Sequence, residues 1–175
     1  MTTTPMHQSE EANENEQHIY IDTVYLIHYL MGNGDEVSRA RKQVIKAKQM
    51  VEKNSDIHVK IPFVATGEFI NQICYNRMGL SEKSAILSKF FDLFKNMNID
   101  FIPARVDSFR LAAQIKDRDR RLDDTDILIV AQALCDLNST FLLTNDPDLI
   151  GSRTIGQVEK EIEGRRHVLK ILEAI

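Results

Sequence analysis

Cysteine is scarce in this chain, two in 175 residues, and neither Cys74 nor Cys135 lies in a Cys-x-x-Cys pair or near a histidine at ligand spacing. A thiolate metal centre is thereby set aside, and both are expected as buried thiols. Histidine is no better organised: His7, His18, His28, His58 and His167 are scattered singly, which leaves a histidine zinc site without support. Any metal bound here would be held by oxygen. Long apolar runs are missing too; none approaches the roughly 20 residues that span a bilayer, so no membrane partner is expected. The N-terminus has neither the basic nor the apolar segment of a secretory signal, and the expected location is the cytoplasm.

An excess of positive charge is also lacking. The formal net charge is -4. Residues 1–17 hold Glu10, Glu11, Glu14 and Glu16 with no Lys or Arg, and setting these four apart from the 26 acids leaves 22 against 22 bases. Such a neutral body permits a nucleic-acid partner, provided that local basic patches attract it.

What is present fits one soluble domain. Hydrophobic residues make up 43% and charged residues 27%, ordinary globular values, and the length suits a single core. Residues 1–17, rich in Thr, Gln, Asn and Glu, read as a disordered acidic tail, and residues 18–175 as the domain. Ile19-Tyr20-Ile21 has the character of a short buried strand, followed by a helix from about Val24 to Met31 that ends at Gly32-Asn33-Gly34. Val37, Ala40, Val44, Ala47 and Val51 recur at helical spacing, opposite a basic face of Arg39, Arg41, Lys42, Lys46 and Lys48. Ile57 to Ile61 alternates as a strand, and Pro62 opens a helix through Phe63, Phe69 and Ile73 that Gly79 closes. Ser81 is suited to cap the next helix, whose stripe of Ile86, Leu87, Phe90, Phe91, Phe94 and Met97 predicts core. Ile99 to Ile102 gives a third strand, Val106 to Ile115 a helix, and Lys116 to Arg121 a charged loop or frayed helix end. The run Ile127 to Leu134 predicts a helix buried nearly all round, and Thr140 to Leu143 a fourth strand. Beyond Gly151 the pattern allows one broken helix, or a short strand followed by a helix. Strands alternating with helices predict an α/β protein, a mostly parallel sheet covered on both faces.

Carboxylates gather at the strand ends. Asp22 follows the first strand, Glu68 lies in the helix after the second, Asp126 begins the buried helix, and Asp146 and Asp148 follow the fourth strand. In open α/β sheets that edge forms the ligand crevice. Clustered acids repel one another, so in a partly desolvated crevice they take up protons or a cation. Oxygen ligands favour Mg2+ or Mn2+, ions that activate water and stabilise charge on a phosphodiester under attack.

These segments resemble a known family. Ile19-Tyr-Ile-Asp22-Thr-Val-Tyr-Leu-Ile is similar to the opening strand of PIN-domain ribonucleases, Val64-Ala-Thr-Gly-Glu68-Phe to their second motif, Asp126-Ile-Leu-Ile-Val-Ala-Gln-Ala to their third, and Leu143-Thr-Asn-Asp146-Pro-Asp-Leu to their fourth. The four occur in family order across residues 19–150. The resemblance implies a Rossmann-like three-layer α/β/α sandwich that cleaves RNA with Mg2+ or Mn2+, often as the toxin of a VapBC-type pair with an antitoxin partner, and a homodimer. It implies that Asp22, Glu68 and Asp126 are metal ligands and catalytic groups, that Asp146 joins them directly or through water, and that Asp148 is a fifth member. Thr23, Thr144 and Asn145 would support the acids. Asp124 and Asp126 compete for the third position; Asp124 suits a helix cap beside Thr125, and Asp126 has the family register. Arg118, Arg120 and Arg121 are the nearest candidates for RNA contact, although such groups are more often a solvated face.

A reading from another class keeps the fold as a catalytically inactive binding or scaffolding module, motivated by Val24 in the first motif. A third, a phosphoryl-transfer enzyme with Asp22 as nucleophile, would need a second Asp where Val24 stands.

Overall fold

The computed structural model describes residues 15–175 apart from 33, 98 and 166. Five strands, β1 (Gln17–Ile21), β2 (Ile57–Pro62), β3 (Asp100–Ile102), β4 (Ser139–Leu143) and β5 (Lys170–Leu172), form one sheet in the order β3-β2-β1-β4-β5. Every pairing is parallel. The helices among the described residues are α1 (Thr23–Met31), α2 (Asp35–Lys53), α3 (Phe63–Tyr75), α4 (Leu80–Met97), α5 (Val106–Arg118), α6 (Asp124–Cys135) and α7 (Arg153–Lys160).

Topology assigns the layers. The chain steps outward from β1 to β2 to β3 through α1 to α4, then crosses back to β4 and β5 through α5, α6 and α7. Right-handed crossovers place the first set of helices on one face and the second on the other. The packing agrees: α1 meets α2, α3 and α4, while α5 meets α6 and α7. The central strands are accordingly apolar on both sides. Ile19, Ile21, Val59, Ile61, Leu142 and Leu143 are all fully buried, as strands covered twice must be.

Each helix buries the face that its spacing dictates. In α2, Val37, Ala40, Val44 and Ala47 are buried beneath the exposed Arg39, Arg41, Lys42 and Lys46. In α4 the inward positions are Ile86, Phe90, Leu93 and Phe94. Phe90 lies 4.6 Å from the Phe69 ring and 4.4 Å from that of Phe94, which stacks at 4.0 Å on Phe101 of β3. This aromatic cluster joins α3 and α4 to the edge of the sheet.

Several expectations need correction. Phe91 is 60% exposed, because one step from Phe90 on a 3.6-residue period turns it away from the core. Cys74 is exposed and Cys135 half-buried, since each falls near a helix end. Ser81 is inside α4, which starts at Leu80. Gln17, assigned to the tail, opens β1, and Glu16 ion-pairs with His18 and His58; residues 1–14 of that expected tail lie outside the described residues. After Gly151 the order is helix then strand, α7 and β5, the reverse of the alternative drawn from the pattern. Three residues are too few for a strand to reveal itself by alternation.

Substituting Phe90 with Ala should destabilise the fold by about 3–5 kcal/mol. Phe91→Ala, on the adjacent exposed position, should cost under about 1 kcal/mol. Urea unfolding of the two variants checks this; equal losses would contradict the packing described.

Candidate functional site

The strand order reverses at β1, with β2 on one side and β4 on the other. At such a switch point the connections leave in opposite directions and open a crevice above the carboxyl ends of the strands. Asp22 stands there. It is the N-cap of α1, and its Oδ1 accepts from the Thr23 backbone N–H at 2.6 Å. Its Oδ2 accepts from Thr144 Oγ1, also at 2.6 Å. Thr144 follows β4, so the hydroxyl ties the two central strand ends together. Both oxygens are thus oriented, yet the carboxyl is 2% exposed. Burial pushes its pKa up to about 6; the Thr144 and Thr23 hydrogen bonds oppose the shift, and the charges of Glu68 and Asp146 add to it.

Asp126 reaches the crevice from the first turn of α6. That helix is capped by Asp123, whose side chain accepts from the Thr125 N–H at 2.8 Å. Asp124, weighed as cap or ligand, is exposed and pairs with Lys116 at 2.8 Å. Capping by Asp123 turns Asp126 inward one position before the buried Ile127. Its pKa is pushed up to about 8, first by desolvation, then by the charge of Asp22 and by a hydrogen bond to Asp146, with further repulsion from Asp146 and Asp123. The contact with Asp146 thus favours the protonated form of Asp126.

Asp146 is held by its own loop: its N–H donates to Thr144 Oγ1 at 3.1 Å, and its Oδ1 accepts from the Asp148 N–H at 2.7 Å. Thr144 thereby serves two acids at once. Glu68, half-buried on α3, is near enough for its charge to act on Asp22. The structure thus brings Asp22, Glu68, Asp126 and Asp146 within electrostatic reach. Asp148 stays exposed at the rim, where its charge acts on Arg121. Thr23 contributes its backbone N–H, while its hydroxyl meets Ala65 O at 3.5 Å. Asn145 turns away, its amide 3.4 Å from His28 Nδ1. Among the described residues, no Lys, Arg or His forms an ion pair with any of the four clustered acids.

The three loop arginines are not equivalent. Arg118 makes a two-pronged contact with Glu161, both bonds 2.8 Å, and Arg121 one with Asp119 at 2.9 and 2.8 Å. Arg120 is exposed, and no described acid neutralises it. Two features escaped the sequence. The Arg165 side chain is buried and donates to Leu134 O at 2.8 Å, Asp136 O at 3.2 Å and Ser139 O at 3.0 Å, closing the C-terminal end of α6. His18, Tyr20, Lys60 and Asp136 form a polar cluster on one face of the sheet. Alternation placed His18 and Tyr20 on a common face, but nothing local pointed to Asp136.

Among the described residues no group of three or more His, Cys, Asp or Glu side chains is placed as it stands to hold a metal ion. The donors nonetheless fit a hydrated divalent cation. They are oxygens only, among the described residues no Lys, Arg or His is paired with them, and burial raises the pKa of Asp22 and Asp126, a shift that a bound cation would oppose. Mg2+ keeps several waters and needs only one or two carboxylates.

No protein-family model matches the sequence, and no curated protein matches it either. Solved structures do share its architecture. VapBC2 from Rickettsia felis, bound to a DNA fragment from their promoter, superposes with a TM-score of 0.58 at 13% identity, over 89% of this chain and 99% of that one. FitAcB from Neisseria gonorrhoeae gives 0.54 at 13%, over 88% and 96%. FitAB bound to an IR36 DNA fragment gives 0.54 at 13%, over 88% and 93%. The fold is therefore the PIN-like α/β/α sandwich that the four motifs implied, with an all-parallel sheet.

The acids give metal-free protein a characteristic pH response. In the unfolded chain both carboxyls titrate near 3.8, whereas folded Asp22 and Asp126 titrate at about 6 and about 8. Between these limits the folded state holds more protons, so stability falls as pH rises. Calorimetry should show a lower Tm near pH 8 than near pH 5, and Asp126→Asn should remove most of the decline above pH 6. A flat profile in the parent would contradict the clustering.

Proposed function

We propose that this chain is a Mg2+- or Mn2+-dependent endoribonuclease, acting on RNA phosphodiester bonds as the toxin of a toxin–antitoxin pair. The observation that carries this reading is the meeting of Asp22, Glu68, Asp126 and Asp146 at the switch point, where among the described residues no Lys, Arg or His pairs with them. Acids that merely stabilised a fold would be paired or solvated; here Asp22 and Asp126 are desolvated and feel the charge of their neighbours, which is tolerable in a site built around a cation.

When bound, the divalent ion supplies water activation and neutralises charge developing on the scissile phosphate. The protein supplies position. Asp22 is fixed by two hydrogen bonds, so it meets the ion without reorganisation. Asp126 from α6, Asp146 from the loop after β4 and Glu68 from α3 would be the other carboxylates that hold the ion. Arg120, exposed on the loop before α6 and paired with no described acid, provides the attraction that the acids cannot offer to a phosphate backbone.

An antitoxin partner is supported by a groove of about 430 Å3 bordered by Tyr29, Leu30, Val44, Ile45 and Leu93 with Arg41, Lys48, Lys89 and Asp92. Apolar groups together with three bases against one acid suit an amphipathic segment bearing acids. A homodimer is also part of the reading; exposed Phe63, Val106 and Phe109 offer apolar surface for it.

Manganese titrated into the parent should bind, and the loaded protein should cut a mixed RNA pool; Asp22→Asn with Asp126→Asn should lose both while staying folded. The loss expected from removing these charges is at least about a hundredfold in rate. Folded parent that neither binds the ion nor cuts RNA would instead favour the scaffolding reading, for which Val24, packed against the core, is the relevant departure.

A further inference from the structure

The groove between α1, α2 and α4 is unbalanced in charge. It carries Arg41, Lys48 and Lys89 against Asp92 alone. Arg41 and Lys89 are exposed, and among the described residues neither forms an ion pair. Lys48 has a contact of 3.7 Å with Glu52, one turn further along its own helix and itself exposed, a pairing of little strength in water. Ile45, 52% exposed, adds apolar surface beside these bases. The groove therefore suits a segment that brings acids and an apolar side chain.

The chain itself contains such a segment. Residues 1–14 hold Glu10, Glu11 and Glu14 with no Lys or Arg, and Met6 stands four residues before Glu10. Its point of attachment is fixed by β1. Gln17 pairs with Ile57, and its N–H donates to Asp56 O at 2.8 Å, so the segment joins the sheet beside the turn between α2 and β2. That turn is the foot of α2.

The distances allow the return. Lys48 lies five residues before Lys53, the end of α2, which is about 7.5 Å along the helix. The turn to Ile57 adds at most about 14 Å, and the step across to Gln17 about 5 Å. Gln17 and Lys48 are thus no more than about 27 Å apart, and the seven residues from Gln17 back to Glu10 cover about 24 Å when extended, before either side chain is counted.

We propose that the acidic segment before β1 folds back along the foot of α2 and occupies the groove between α1, α2 and α4, with Glu10 and Glu11 among Arg41, Lys48 and Lys89 and with Met6 against Ile45. A flexible tether keeps the acids at about millimolar effective concentration, so a dissociation constant of that order fills the groove half of the time. A separate partner gains no such advantage and must bind more tightly to displace the segment. The regulatory consequence, a groove covered until the antitoxin arrives, rests on the antitoxin reading. The docking itself does not, and its test uses neither RNA, metal nor partner, so the two can fail separately.

The test is zero-length carbodiimide cross-linking of the full chain in EDTA, on a mixture of 15N-labelled and unlabelled protein, read by mass spectrometry of peptides. Glu10 or Glu11 should link to Lys48 and Lys89 within one molecule, at least about tenfold more often than to Lys42, which lies on α2 outside the groove. Salt at about 1 M, which cuts the range of exposed charges to about 3 Å, should reduce these links severalfold. Arg41→Glu with Lys48→Glu should abolish the Lys89 links, with circular dichroism confirming the fold. Adding Glu10→Lys and Glu11→Lys should return a link between the segment and α2 with amine and carboxylate exchanged. Absence of links to Lys48 and Lys89 would overturn the proposal, as would Lys89 links that survive the reversal on α2 or links spread equally over Lys42 and Lys89. Links found only between labelled and unlabelled molecules would place a second copy in the groove and overturn it too.

Discussion

Repulsion among carboxylates withdrawn from water is the constraint on which the candidate site depends. Asp22 cannot move off: it is held from below by the first turn of α1 and from the side by the Thr144 hydroxyl. Asp126 cannot retreat, because the residue after it is buried in the core and Asp123 has already fixed the start of α6. The chain therefore keeps negative groups together that would separate if free, and the cost is borne as protons retained at pH values where a solvated carboxyl would have lost them. Residues placed by packing, and not by their own affinity, are what a preorganised site requires.

The fold supplies that packing from parts remote from the acids. Apolar strands buried on both faces fix the level of the strand ends, and the reversal of strand order at β1 opens space above them. The aromatic cluster of Phe69, Phe90, Phe94 and Phe101 anchors α3, the helix that carries Glu68. Arg165 closes the far end of α6, the helix that carries Asp126. Each acid thus rests on an element held by contacts of a different kind.

The parts legible in the sequence were those with local signatures. Alternation and β-branched residues disclosed β1, β2 and β4, and helical spacing disclosed the buried face of α2. Asp22, Glu68, Asp126 and Asp146 were visible from their register to those elements, and from the likeness of all four segments to one family. The rest depends on partners distant in sequence. β5 is three residues long and exists because β4 offers an edge. Asp123 displaced Asp124 as the cap by a single position of helix phase. Arg165 reads like its exposed neighbours until the carbonyls at the end of α6 are placed around it, and Asp136 acquires its cluster only when β1 and β2 lie side by side.

The last strand has a further consequence. Thr144, which orients Asp22 and Asp146, donates its own backbone N–H to Leu172 O at 3.1 Å, and the residues beyond are fastened to α1 and α2 through Tyr25, Lys46 and the Ile175 N–H on Gln43 Oε1. A nascent chain synthesised only as far as α7 already contains all four acids, but lacks the edge that steadies the hydroxyl between them. Order in the crevice thus waits on β5, which follows all four acids along the chain.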